Sequence, residues 1–224
     1  MNWQCDGYLI SKSKFRENSI IANFFTNEYG KVGGIIYGGN SRKIKNYLQN
    51  SNLLHLIFNS KGQNKPGYFK VEIITPNAVK YFDDKERTIA LNSLTSLLNI
   101  FLPEYQPYKK IFTAVDNLIK NLDHPNWVYY YLKIELLILS EIGYGINIEN
   151  VENLTNDSKN KNLIVDQVKY QIPDYLIQTN NNIQLSNQEI KDGLVFLKQF
   201  MLHKFFIPNR VTLPAARNVL EKYF

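Results

Sequence analysis

Over the first 75 residues apolar and polar positions alternate with a period of two, the pattern of half-buried strands. It predicts strands at residues 6–12, 19–26, 31–37, 52–59 and 68–75. The first carries Tyr8 and Ile10 on one face, and the fifth sets Phe69, Val71 and Ile73 against Tyr68, Lys70, Glu72 and Ile74. The second is denser, with Ile20, Ile21, Ala22, Phe24 and Phe25, so it is expected to be covered on most of both faces. Asn27-Glu28-Tyr29-Gly30 reads as a hairpin connection, with glycine where φ must be positive. In the third strand Gly33-Gly34 anticipates a bulge, a bend or the close approach of another backbone. Ser41 is placed to cap one or two helical turns reaching residue 48, with Ile44 and Leu48 inward.

Five short strands, one bent at glycines, with a short helix after the third, form the pattern of an oligonucleotide/oligosaccharide-binding (OB) barrel. Near Pro76 the apolar period changes from 2 to 3.6, which places a domain boundary between residues 79 and 80. Helices are predicted at residues 85–102, stopped by Pro103, at 108–122, and at 126–142, which is apolar nearly all round and ends at Gly143 and Gly145. Residues 187–206 and 214–223 follow as helices, the latter with Pro at its start. Between the helices at 126–142 and 187–206, residues 147–182 are polar and asparagine-rich and read as an irregular insert with room for a small hairpin. The fold class is therefore α+β, a five-stranded OB-fold barrel (1–79) followed by an all-helical C-terminal domain (80–224).

Charge changes this picture most when it is divided along the chain. Residues 1–80 hold 11 Lys or Arg against 4 Asp or Glu, whereas residues 81–150 hold 6 against 9 and residues 151–224 hold 9 against 7. The excess of +6 thus belongs to the strand-rich part, and a basic surface on a small β-domain is the footprint of a polyanion partner. A lysine- and asparagine-rich composition accounts for Lys over Arg but not for this asymmetry. The longest apolar stretch, 127–139, is interrupted by Lys133 and Glu135, so no segment has the run that a membrane span needs. Residues 1–8 lack the blocks of a signal peptide, and the expectation is a cytoplasmic protein.

Catalytic and metal chemistry finds little support. The single cysteine, Cys5, cannot supply a multi-thiolate site, and His55, His124 and His203 have no ligand spacing. Neither glycine pair is followed by the G-K-S/T of a phosphate loop. Asp83, Asp84 and Glu86 suit the start of a helix, where negative charge is favoured. No cofactor and no enzymatic activity is expected.

For a polyanion the candidates are Lys12, Lys14 and Arg16 in the turn after the first strand, Lys31 at the start of the third, and Arg42, Lys43 and Lys45 beyond it. Such side chains neutralise phosphates, and aromatic faces stack on unpaired bases. Tyr8, Phe15, Tyr29, Tyr37, Tyr47 and Tyr68 are the aromatic candidates, most of them expected in the barrel core. DNA binding, RNA binding and a protein-interaction scaffold all remain open on these residues alone.

The order of several short motifs resembles the bacterial recombination mediator family RecO. They are Trp3-Gln4-Cys5-Asp6-Gly7-Tyr8-Leu9-Ile10, then Glu17, then Phe25-Thr26-Asn27-Glu28-Tyr29-Gly30-Lys31-Val32, and Gly38-Gly39-Asn40-Ser41-Arg42-Lys43. Downstream, Glu135-Leu136-Leu137 through Gly143-Tyr144 is similar to the family's central helix, and Pro208-Asn209-Arg210 through Leu213-Pro214-Ala215-Ala216-Arg217 to the ending of one branch. The resemblance implies an OB barrel with a helical domain, binding of single- and double-stranded DNA, strand annealing, and action with RecR, the C-terminal tail of single-stranded DNA-binding protein, and RecA at the nucleoid. Many members carry a four-cysteine zinc module after the central helix, but residues 147–170 contain no cysteine, as in the branch without the metal.

Overall fold

The computed structural model describes residues 2–60, 67–144, 154–157, 160–177 and 183–224. Contacts divide the chain into two compact units, Met1–Ile119 and Lys120–Phe224.

The first unit is built on five strands, β1 (Asn2–Arg16), β2 (Ser19–Thr26), β3 (Gly30–Tyr37), β4 (Leu53–Asn59) and β5 (Tyr68–Thr75). They close into a barrel in the order β1-β2-β3-β5-β4. The four later strands match the predicted ones within a residue. The first is far longer than residues 6–12, because it serves two partners: residues 2–8 pair with β4 and residues 7–16 with β2. Register shifts between Leu9 and Ser11 and between Lys14 and Arg16 let it curve from one to the other. The bend anticipated in β3 is therefore in β1. The β2–β3 register runs unbroken from Ser19 opposite Tyr37 to Thr26 opposite Gly30. Of the readings for Gly33-Gly34, close approach applies to Gly34, where a Cβ would lie 2.6 Å from the Phe69 ring.

Alternate residues, among them Leu9, Ala22, Phe24, Val32, Leu56 and Phe69, fill the barrel. In β2 the odd positions face outward. Phe25 is nevertheless fully buried, since the Phe112 ring covers it at 5.4 Å, while Ile21 remains 36% exposed. The expectation that β2 is covered on both faces thus holds where helices lie over it and fails at Ile21.

Those helices are α3 (Lys85–Phe101) and α4 (Lys109–Lys120), preceded by α1 (Arg42–Tyr47) and the single turn α2 (Asn77–Lys80). Asp84 caps α3 by accepting from the Arg87 amide at 3.0 Å. Asn99 Oδ1 accepts from Ser11 Oγ at 3.2 Å and from Asn23 Nδ2 at 2.9 Å, pinning α3 to the outer face of β1 and β2. On α4, Asp116 accepts from the Tyr8 hydroxyl at 2.7 Å. The change of period at Pro76 thus marks the end of the strands, while the compact unit continues to Ile119.

The second unit is organised round α5 (Trp127–Glu141), buried on nearly every side and packed against α7 (Asn187–Met201). Within the predicted insert, β6 (Leu154–Asp157), β7 (Asn160–Val165) and β8 (Val168–Ile172) form a three-stranded antiparallel sheet. This corrects an all-helical reading of the C-terminal region. The β7–β8 turn has φ of 49° at Asp166 and 66° at Gln167, the pair of positive values that a two-residue hairpin needs. Of the rest of the insert, the β7–β8 turn, Pro173 and the turn α6 (Asp174–Ile177) are described, and residues 147–153, 158–159 and 178–182 lie outside the described residues. The last predicted helices are both subdivided. Helix α7 passes into a π-helical stretch, Leu202–Phe206, and α8 (Ala215–Leu220) into a 3-10 turn, Glu221–Tyr223.

Candidate nucleic-acid interface

Beyond Leu9, whose backbone still bonds to Ser51 and Asn52, β1 runs on through residues 10–16 as a ribbon paired only with β2. Lys12, Lys14 and Arg16 lie on this ribbon, not in a turn as expected, and the turn itself is Glu17-Asn18. Lys12 and Lys14 stand opposite Ala22 and Ile20, hence on the barrel-lining side of a strand that has outrun its barrel. Helix α1 occupies the space they overlook. Lys12 Nζ donates to the Leu48 carbonyl and, at 3.3 Å, to Gln49 Oε1, placing its charge at the C-terminal end of α1, where a cation is favoured. At the other end Asn40 Nδ2 donates to the Glu17 carbonyl at 3.0 Å, and the Gly38 amide to the Asn18 carbonyl at 2.8 Å. These bonds lay the ribbon and α1 side by side.

Arg42, Lys43 and Lys45 are exposed on α1, whose start is fixed by Ser41 Oγ accepting from the Ile44 amide. Ribbon and helix together carry Lys12, Lys14, Arg16, Arg42, Lys43 and Lys45. Burial lowers the pKa of Lys12, and the nearby charge of Lys45 lowers it further. Like charges held this close repel, and a bound phosphate would relieve that repulsion. Among the described residues no carboxylate pairs with Lys14, Arg42, Lys43 or Lys45.

Lys31 stands apart. Half-buried on β3, it donates to the Asn99 carbonyl at 2.9 Å, and burial lowers its pKa more than Glu104 raises it. Its charge is spent on anchoring α3.

The aromatic candidates also separate. Tyr8 is 1% exposed, and burial with the Asp116 hydrogen bond pushes its hydroxyl pKa upward. Tyr29 stacks on Trp3 at 4.2 Å, and Tyr47 packs against the core with its hydroxyl directed at the Val71 carbonyl. Phe15 and Tyr37 face solvent, 42% and 61% exposed, and Tyr68 lies 5.9 Å from Tyr37. The Trp3–Tyr29 stack and the Asn99 latch had no sequence signal, because each joins residues far apart in the chain.

The histidines make local contacts. His55 Nδ1 lies 2.8 Å from Asp6 across the β1–β4 pair, and His203 lies 3.3 Å from the Tyr170 hydroxyl. Cys5 has its thiol pKa pushed up to about 12, chiefly by burial. Among the described residues no group of three or more His, Cys, Asp or Glu is placed to hold a metal ion, and no helix is long and apolar enough to cross a membrane.

The family models "Recombination protein O N terminal" and "Recombination protein O C terminal" match residues 1–77 and 83–223. The chain belongs to the RecO family. Two of the curated relatives match over nearly the full length. The DNA repair protein RecO of Wolbachia sp. subsp. Drosophila simulans (strain wRi) is 28% identical over 240 residues, covering 98% of this chain and 99% of the relative. That of Wolbachia pipientis wMel matches to the same extent. RecO of Cereibacter sphaeroides (strain ATCC 17029 / ATH 2.4.9) is 31% identical over 148 residues, 66% of this chain and 62% of the relative. The family is one of DNA repair proteins, and a barrel followed by a mainly helical region is the architecture expected of its members.

Proposed function

We propose that this protein is a non-catalytic DNA-binding mediator of recombinational repair, which holds DNA on the cationic surface formed by the β1–β2 ribbon and α1. The observation that carries the reading is that two separate elements of the most basic third of the chain, the ribbon with Lys12, Lys14 and Arg16 and α1 with Arg42, Lys43 and Lys45, are laid side by side. Phosphate contacts of this kind are indifferent to sequence, which suits a protein that meets DNA wherever it is damaged. Family membership supports annealing of single strands and action with RecR, RecA and single-stranded DNA-binding protein, in the cytoplasm at the nucleoid. The acidic tail of the last partner needs an apolar groove rimmed by cations. In the second unit Lys198 and Lys204 are already paired, Lys198 with Glu221 at 2.5 Å and Lys204 with Asp166, which leaves them less suited to such a rim.

The test is a salt series with the Arg42→Ala/Lys43→Ala/Lys45→Ala variant on labelled DNA. Each lost phosphate contact flattens the slope of log affinity against log salt by roughly 0.7 to 0.9, so the triple variant loses about two units. The loss is similar for unrelated sequences, and the melting temperature hardly moves, because exposed charges contribute little to folding. An unchanged slope in the folded variant removes α1 from the interface. Tighter binding of RNA than of DNA of the same sequence would favour the RNA-binding alternative, and no binding at low salt would favour a protein scaffold.

A further inference from the structure

The outward face of the barrel has a part that neither α3 nor α4 covers. Ser13, Ile21, Ile35 and Tyr68 stand opposite one another across β1, β2, β3 and β5, and in the next row Ser19 stands opposite Tyr37, with Ile35 and Ser19 themselves buried. Phe15, the extra residue at the second β1 bulge, adjoins that row. Phe15 is 42% exposed, Ile21 36% and Tyr37 61%, an uncommon concentration of bare apolar surface on a sheet. The Arg16 guanidinium lies over the Phe15 ring, 5.1 Å from its centroid. Glu17 is the one acidic residue between positions 7 and 27, and none occurs between positions 29 and 71.

Resting on the DNA-binding reading above, we infer that Phe15 and Tyr37 form a stacking platform for unpaired bases, which makes this barrel prefer single strands to duplex. The Arg16 guanidinium over Phe15 and the scarcity of acidic residues on these strands, with the Glu104 carboxylate at Gly33 two rows from Tyr37, favour a polyanion over a protein surface. An aromatic face takes up any base from solution, but in a duplex both faces of each base are already covered by neighbours. The platform therefore adds affinity only for single strands, while the cations of the ribbon and α1 serve both forms. Because stacking releases no counterions, it leaves no mark on the salt slope.

The experiment compares the full-length wild type with Phe15→Ala/Tyr37→Ala on a fluorescent oligothymidylate and on a duplex, each over a salt series. Single-strand affinity is expected to fall roughly 5- to 150-fold per lost stack, with slope and duplex affinity unchanged. Tyr37→Phe should retain affinity, whereas Tyr37→Leu, which keeps the apolar cover without an aromatic face, should lose it. Melting curves matching the wild type show that the variants fold. Unchanged single-strand affinity, with the α1 variant still losing slope, sinks the platform and leaves the DNA-binding reading intact. Equal losses on both forms also sink it. A wild type that binds neither form overturns both. If sedimentation shows a self-association that the double variant abolishes without changing DNA affinity, the surface belongs to a second copy of the chain.

Discussion

The most demanding single residue is Arg217, fully buried in the second unit. Its Nε donates to Glu135 Oε1 at 2.6 Å, and Nη2 donates to Glu135 Oε2 at 2.9 Å and to the Leu194 carbonyl at 2.8 Å. The Tyr131 hydroxyl adds a bond of 2.5 Å to the same carboxylate. Burial alone would lower the pKa of the guanidinium, but the charge of Glu135 overrides it and holds Arg217 protonated. Taking one partner away strands the other's charge in an apolar interior, at a cost of about 3–5 kcal/mol, whereas replacing the cluster by apolar groups of similar size is far milder. Urea unfolding should therefore show Arg217→Met strongly destabilised and Arg217→Met/Glu135→Leu/Tyr131→Phe recovering most of the loss. A single variant within about 1 kcal/mol of wild type would mean that the pair is solvated.

Among the elements, α7 shows how a local motif sets a boundary. Ser186 Oγ accepts from the Glu189 amide at 3.3 Å, while Glu189 Oε2 accepts from the Ser186 amide at 2.8 Å, a reciprocal cap on the first turn. The bond from the Ser186 side chain, aided by its amide, holds the Glu189 carboxyl below its ordinary 4.5. A depressed folded pKa contributes stability above the unfolded value that is lost as the pH falls through the folded one. Ser186→Ala should lower stability by about 1 kcal/mol near neutrality, and the difference from wild type should shrink below about pH 4. Melting midpoints over an acid series check this, and a gap constant with pH would show that the Ser186 hydroxyl does not bond the Glu189 carboxylate.

Elements with a strong apolar period were legible from the chain alone. The four later barrel strands and the long helices fall within a few residues of their predicted bounds. The ribbon end of β1 was not, because Ser11-Lys12-Ser13-Lys14 is polar on both faces and only its pairing with β2 makes it a strand. The small sheet was missed for a related reason: the Asp166-Gln167 turn lacks the glycine that usually announces such a hairpin. Of the seven cations singled out, six lie on the ribbon and the adjoining α1, with Arg16 turned to the outward face beside Phe15, while the anchoring of Lys31 depends on Asn99, 68 residues away. Glu135 within a nearly all-apolar helix was the one available hint of a buried partner, but nothing local pointed to Arg217.

For the whole molecule, thiol count decides the metal question. With Cys5 the single thiol in the sequence, a four-cysteine module cannot be assembled, and elemental analysis of the purified protein should find no stoichiometric zinc. About one zinc per chain would overturn this. The dual pairing of β1 also has a consequence for how the protein is made. Its first residues hydrogen-bond to β4, some fifty positions later, and Tyr8 waits for Asp116, 108 positions on. At roughly 5–20 residues per second the ribosome takes several seconds to more than twenty to deliver those partners. The N-terminal strand thus emerges first and is among the last to be satisfied, carrying Tyr8, Leu9 and Ile10 uncovered in the meantime. It is the segment on which a nascent-chain chaperone has the longest opportunity to act.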